Sequence, residues 1–302
     1  MNSFINNNNE KENIMQIESK KICLADIKST YILKKIFDKV RNYTKFEIIR
    51  YNKNLQKKLN IDISQYKKFS TIEIEVIPAE NKFGNFINFN NKEQKNFYHI
   101  YFNDSEKEIN RNYISENDKI DKIKIIINFQ VDSFYKLFSY CDCIESITFK
   151  NFYRKNINNM SFMFYKCTSL KEINFMNYIT LNVENMSCMF FECFLLNQIN
   201  LSNFDTEKVT DMSYMFHQCT SLRILNAPNL NTENVTNMRE MFFGCSNLRE
   251  ININSFNTES INNENSVKDI FKNSSMELKE KMRELTRKNR AFNLKVNYYL
   301  NE

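Results

Sequence analysis

The sequence predicts a mixed α/β fold in which repeats stack in series, each contributing one strand to a parallel ladder and one short helix to the opposite side. Three observations predict it. The segment NMSFMFYKC at 159–167 returns as NMSCMFFEC at 185–193, DMSYMFHQC at 211–219 and NMREMFFGC at 237–245, always 26 residues on. An L-x-x-I-x-L pattern follows each copy, at Leu170, Ile173 and Phe175, at Leu196, Ile199 and Leu201, at Leu222, Leu225 and Ala227, and at Leu248, Ile251 and Ile253. Then DTE or NTE recurs at 205–207, 231–233 and 257–259, which is Asx-type turn chemistry in a chain with only 2 Gly. A fixed period of this size marks supersecondary units that bury their faces only against neighbours.

Within one repeat, Met186, Met189, Phe190 and Cys193 fall at i, i+3, i+4 and i+7, the spacing of one face of a helix. Asn159, Asn185, Asp211 and Asn237 open the four copies and are expected to cap those helices. The alternation that ends each L-x-x-I-x-L stretch suits a strand buried on one face. Val183, Val209, Val235 and Ile261 then return the chain to the core.

Taken along the chain, residues 1–20 are Asn-rich and polar and read as a disordered tail. Residues 21–69 read as a helical hairpin, with Ile32, Leu33, Ile36, Phe37 and Val40, then Phe46, Ile49 and Tyr51, as apolar positions. Residues 70–130 read as a β-rich N-terminal cap. Its strands are expected around Ile72, Ile74 and Val76, then FGNFINF (83–89), FYHIYF (97–102) and KIKIII (122–127), in a sheet continuous with the first repeat. Residues 131–262 hold five repeats, the first a looser copy carried by Phe134, Leu137, Phe138, Cys141, Ile144 and Ile147.

The remaining residues, 263–302, read as a C-terminal cap. VKDIFKNSS at 267–275 resembles the repeated segment but arrives 29 residues after its predecessor. A helix is expected next, with Ser274 and Glu277 as a capping box and Leu278, Met282 and Leu285 on one face. An alternating strand through Phe292, Leu294, Val296 and Tyr298 closes the chain.

Composition narrows the function. The net charge of +6 conceals an asymmetry: residues 21–70 carry 13 Lys and Arg against 4 acids, a balance of +9, whereas residues 131–262 carry 10 against 13. The repeats are therefore a poor surface for nucleic acid, while the front segment reads as Lys-rich solvated helices with the charge to attract phosphate or an acidic partner. Nucleic-acid binding is not expected, because the basic residues lack an aromatic stacking pattern. Cys141, Cys167, Cys193, Cys219 and Cys245 share one repeat position and read as buried thiols. Cys141 and Cys143 lack the companions of a zinc site.

No nucleotide-binding glycine motif or metal-ligand spacing is present, so neither an enzyme nor a cofactor is expected. Of the two His, His217 takes a place held elsewhere by Tyr165, Phe191 and Phe243 and reads as a variable rim residue. Neither a membrane span nor a secretory signal is visible, and the expected location is cytoplasmic.

The block LSNFDTEKVTDMSYMFHQCTSLRILN at 201–226 resembles the BspA-like leucine-rich repeat family. The resemblance covers about 131–262. It implies a right-handed, leucine-rich-repeat-like solenoid with a parallel strand ladder on one face, used for partner binding or, in surface proteins, for adhesion. The usual repeat asparagine is displaced, its place holding Tyr178, Phe204, Leu230 and Phe256. Residues 24–59, LADIKSTYILKKIFDKVRNYTKFEIIRYNKNLQKKL, look somewhat like an F-box, although the opening Leu-Pro is missing. That resemblance implies docking to a ubiquitin ligase adaptor, with the repeats choosing the client.

The leading expectation is a non-enzymatic protein-interaction module. Its partner-binding face comprises the outward positions of the strands: Lys171, Glu172 and Asn174; Asn197, Gln198 and Asn200; Arg223 and Asn226; Arg249, Glu250 and Asn252. Mixed charge at fixed spacing is what a protein partner reads.

Overall fold

The computed structural model describes residues 24, 27–40, 48–49, 52–61, 71–89, 92–128, 130–152, 155–176, 180–254, 256–257 and 259–288. The tail at 1–20, the strand expected through Phe292–Tyr298, and Phe46, Tyr51 and Tyr178 lie outside them. The chain divides into two compact units, Met1–Phe69 and Ser70–Glu302.

In the first unit, helices α1 (Thr30–Lys39) and α2 (Lys53–Leu59) are each capped by a side chain, Ser29 accepting from Ile32 N–H and Asn52 from Leu55 N–H. They bury Leu33, Phe37, Ile49, Leu55 and Leu59 in a small core of their own. Asn60 ends α2 in the left-handed conformation, which asparagine tolerates.

The second unit is built on an eight-stranded sheet. Its strands are β1 (Ile72–Pro78), β3 (Tyr98–Phe102), β5 (Ile123–Ile127), β6 (Ile144–Asn151), β7 (Glu172–Phe175), β8 (Gln198–Asn200), β9 (Ile224–Asn226) and β10 (Glu250–Asn252). A separate pair is formed by β2 (Gly84–Asn85) and β4 (Tyr113–Ile114). The order is β10-β9-β8-β7-β6-β1-β5-β3, parallel from β6 to β10 and antiparallel from β6 through β1 and β5 to β3. The strands around Ile72, Tyr98 and Ile123 thus extend the sheet of the repeats, covering an edge that would otherwise present unpaired backbone groups. Bidentate pairing of Arg111 with Asp118 ties the connecting loop and holds the Asp118 carboxyl below its usual range.

On the far side of each repeat the expected helix does not form; the segment is a run of tight turns. Phe162 and Lys166 take positive φ of 59° and 57°, and the pattern recurs at Lys136 and Tyr140, Cys188 and Glu192, Tyr214 and Gln218, and Glu240 and Gly244. The reason lies in the alternate N–H groups. Those of Met160, Phe162, Phe164 and Lys166 donate to the carbonyls of Asn185, Ser187, Met189 and Phe191 in the next repeat, at 2.7–2.9 Å. Those between, on Met163, Tyr165 and Cys167, turn back to Met160, Phe162 and Phe164. A helix would spend every donor within itself; the turns spend half of them on the neighbouring repeat. Each left-handed residue costs about 1–2 kcal/mol, offset by rungs worth about 0.5–1.5 kcal/mol each and by the packing they allow.

The expected helix caps are Asx turns as well. Asn159, Asn185 and Asp211 accept from the N–H and the hydroxyl of Ser161, Ser187 and Ser213, two residues on. The burial periodicity survives because paired tight turns return i, i+3, i+4 and i+7 to one side, as a helix does: Met186, Met189, Phe190 and Cys193 are fully buried.

The interior is a set of columns running across the repeats. Phe138, Phe164, Phe190, Phe216 and Phe242 stack with ring centroids 5.4–5.5 Å apart, and Phe271 continues them at 6.0 Å. Residues 263–275 therefore add a sixth rung. Met238, Glu240, Phe242 and Gly244 donate to Ser266, Lys268, Ile270 and Lys272, three residues further on than in the earlier repeats. Helix α3 (Met276–Lys288) follows and buries Leu278, Met282 and Leu285 in the same core. Its cap is Ser275, whose hydroxyl accepts from Leu278 N–H, rather than the expected Ser274, which donates to the Phe271 carbonyl.

Candidate functional site

The strand pattern turns one face of the sheet inward and leaves the other to solvent. Along β7, β8 and β9 the residues alternate between buried and outward-facing, with Ile173, Ile199 and Leu225 inside. Parallel pairing puts Glu172 beside Gln198, Gln198 beside Ile224, and Ile224 beside Glu250. Asn200, Asn226 and Asn252 form the next row, with Asn174 two residues after Glu172 in β7. Lys171, Asn197, Arg223 and Arg249 stand at the entrance of the four strands.

All eleven residues expected on this face point outward; Asn226 is half-buried and the others are exposed. They divide by what their side chains do. Asn252 donates to Asn226 at 2.6 Å and Asn226 to Asn200 at 2.9 Å, while Asn200 also accepts from Ser202 N–H. Those amides hold the strands together. Lys171 pairs with Glu145 at 3.1 Å. Among the described residues, the side chains of Glu172, Gln198, Arg223, Arg249 and Glu250 engage no hydrogen bond or ion pair. They are charges and an amide set at repeat spacing on paired strands. The half-buried Ile224 adds an apolar element between Gln198 and Glu250.

On the turn side, Tyr165, Phe191, His217 and Phe243 stack in a half-exposed column at 4.8, 4.4 and 4.8 Å. The expectation that His217 takes an aromatic position is met geometrically. Its Nε2 lies 3.1 Å from Glu240 Oε2, its Nδ1 is buried without a partner among the described residues, and burial pushes its pKa below the usual value against the pull of Glu240. Stacking between two rings gives the imidazole a structural place in the column.

Beneath both surfaces run two rows that sequence reasoning missed as bonding groups. Cys167, Cys193, Cys219 and Cys245 are free, and their thiols donate to the carbonyls of Phe138, Phe164, Phe190 and Phe216 at 2.9–3.1 Å. The buried hydroxyl of Thr180 donates to the Asp205 carbonyl and accepts from the Asp205 N–H; Thr206 does the same with Asn231, and Thr232 with Asn257. The 26-residue recurrence of the Thr within DTE and NTE was the available signal. Where the N-terminal cap meets the first repeat, a cleft of about 740 Å³ is lined by Asn88, Tyr135, Lys136, Ser139 and Tyr140 among others. Asn88 fills part of it, its amide donating to the carbonyls of Lys136 and Ser139.

Among the described residues, no three His, Cys, Asp or Glu side chains gather as metal ligands do, and no helix is long and apolar enough to cross a membrane.

A repeat protein on a large, parallel-rich sheet is the class that this geometry defines. Residues 132–226 and 222–299 match a family model described as "Mycoplasma protein of unknown function, DUF285", and the chain belongs to that family. No curated protein and no solved structure matches it.

Proposed function

We propose that the repeats form a right-handed solenoid of the BspA-like leucine-rich-repeat kind, and that the chain is a non-enzymatic protein-interaction module reading its partner with the outward face of β7–β10. The observation that carries the reading is the set of exposed side chains of Glu172, Gln198, Arg223, Arg249 and Glu250, which form no hydrogen bond or ion pair with another described residue. A parallel ladder fixes their spacing. The ladder sets where each charge leaves the backbone, and opposite charge at matching places favours a complementary surface over others. The free, buried thiols suit a reducing intracellular setting.

The test is affinity purification from cell extract with the full-length chain and its Arg223→Glu/Arg249→Glu variant. Both arginines are exposed, so the variant should fold as the parent does. Loss of the parent's partners, with an affinity fall of at least about tenfold, is the expected result, as befits charge reversal at two contacts. Retention of the same partners at unchanged affinity removes this face from the reading.

A further inference from the structure

The first unit carries a surface that the repeats do not explain. Leu33 and Phe37 point into its small core, which leaves the opposite side of α1 outward. That side is not polar. Tyr31 is 66% exposed, Ile32 51% and Ile36 38%. Lys35 and Lys39 rise between them, and the Lys35 ammonium lies 4.9 Å from the Tyr31 ring centroid. At helical spacing, 31 and 35, and 32 and 36, are neighbours one turn apart, so aromatic, aliphatic and ammonium groups share one strip.

We propose that this strip of α1 docks on the surface of an anionic lipid bilayer, with Ile32, Ile36 and the Tyr31 ring entering the headgroup region. Charge complementarity selects this occupant. Residues 21–70 carry 13 Lys and Arg against 4 acids, whereas the repeats at 131–262 carry 10 against 13. Lysine stems lie along apolar surface while their ammonium groups reach phosphate, an arrangement that a bilayer interface rewards. Each Lys or Arg held near an anionic surface adds to the attraction, which salt screens. A strip of three apolar side chains on one helix makes reversible, peripheral attachment, which needs no spanning segment.

The experiment is co-sedimentation of the full-length chain with vesicles of phosphatidylcholine alone and with vesicles containing about 30% phosphatidylglycerol, a composition that sets a negative surface potential. The chain should sediment with the anionic vesicles, weakly or not at all with the neutral ones, and be released by high salt. Ile32→Ser/Ile36→Ser and Lys35→Glu/Lys39→Glu should each lower the partition coefficient at least about tenfold, with circular dichroism unchanged because all four residues are exposed. Failure to sediment with anionic vesicles overturns the proposal. So does equal binding to neutral vesicles, or an isoleucine variant that partitions like the parent. A chain that ignores vesicles yet retains a ligase adaptor or RNA through these same residues also overturns it.

Discussion

Thr206 does with one hydroxyl what two side chains would otherwise do, donating to the Asn231 carbonyl at 2.7 Å and accepting from its N–H at 2.8 Å. Thr206→Val keeps the shape and leaves both part-buried backbone groups without this partner. We expect a loss of about 2 kcal/mol or more, read as a lower urea midpoint, and a smaller loss for Thr206→Ser. The thiol column makes a second prediction. Burial pushes Cys245 up to about 12, against an ordinary value of 9.0 that the unfolded chain retains. The folded state therefore holds its proton where the unfolded state gives it up. This contribution is complete below pH 9 and is lost as pH rises from there through about 12. Denaturation midpoints measured between pH 8 and 11 should fall, and a Cys245→Ala variant, weaker at pH 8, should fall less steeply. The column itself was legible, since five Cys at one repeat position announce a shared environment. The bonds were not, because a spacing of 26 says that residues are equivalent without saying which carbonyl of the preceding repeat each one meets.

The turn segment is where sequence and structure part. Buried positions at i, i+3, i+4 and i+7 fit a helix and also fit paired tight turns, and the difference lies in left-handed residues that carry no common side chain: Lys136, Phe162, Cys188, Tyr214 and Glu240. Only at the second position of the pair does a glycine appear, Gly244 with φ 72°. An added Cβ there would come within 2.8 Å of the Gln218 side-chain amide, which can swing aside. Lys166, Glu192 and Gln218 occupy the equivalent position with φ 54–58°. Gly244→Asn should therefore change stability by less than about 1 kcal/mol, because asparagine accepts this conformation, whereas the β-branched Gly244→Val should cost clearly more. Comparing the two melting curves checks this. The strands were read correctly because period-two burial is a sharper signal: Ile173, Ile199 and Leu225 face inward as expected.

Across the second unit the two ends of the repeat stack are finished differently. Antiparallel strands β1, β5 and β3 cover the first repeat, while a sixth turn rung and α3 cover the last. Leu278, fully buried on the inner side of α3, anchors that end. Leu278→Ala should cost about 2–5 kcal/mol, and in a stacked array the loss should appear first at the adjacent end. Hydrogen exchange should show amides of 238–275 losing protection while those of 160–193 keep theirs. The lower cap was partly legible: its resemblance to a repeat was plain, but the 29-residue spacing hid that the rung still closes. The three extra residues are taken up before Ser266, where the chain passes through the exposed stretch 262–265. Alternate turn-side donors of the regular repeats reach 25 residues ahead, so one whole unit inserted between Cys193 and Cys219 would meet the same partners above and below. An insertion of another length inside a turn or strand would shift the donors off theirs. In heredity, the reach of this protein can lengthen or shorten by entire modules, renewing its outward face one row at a time while the interior stays the same.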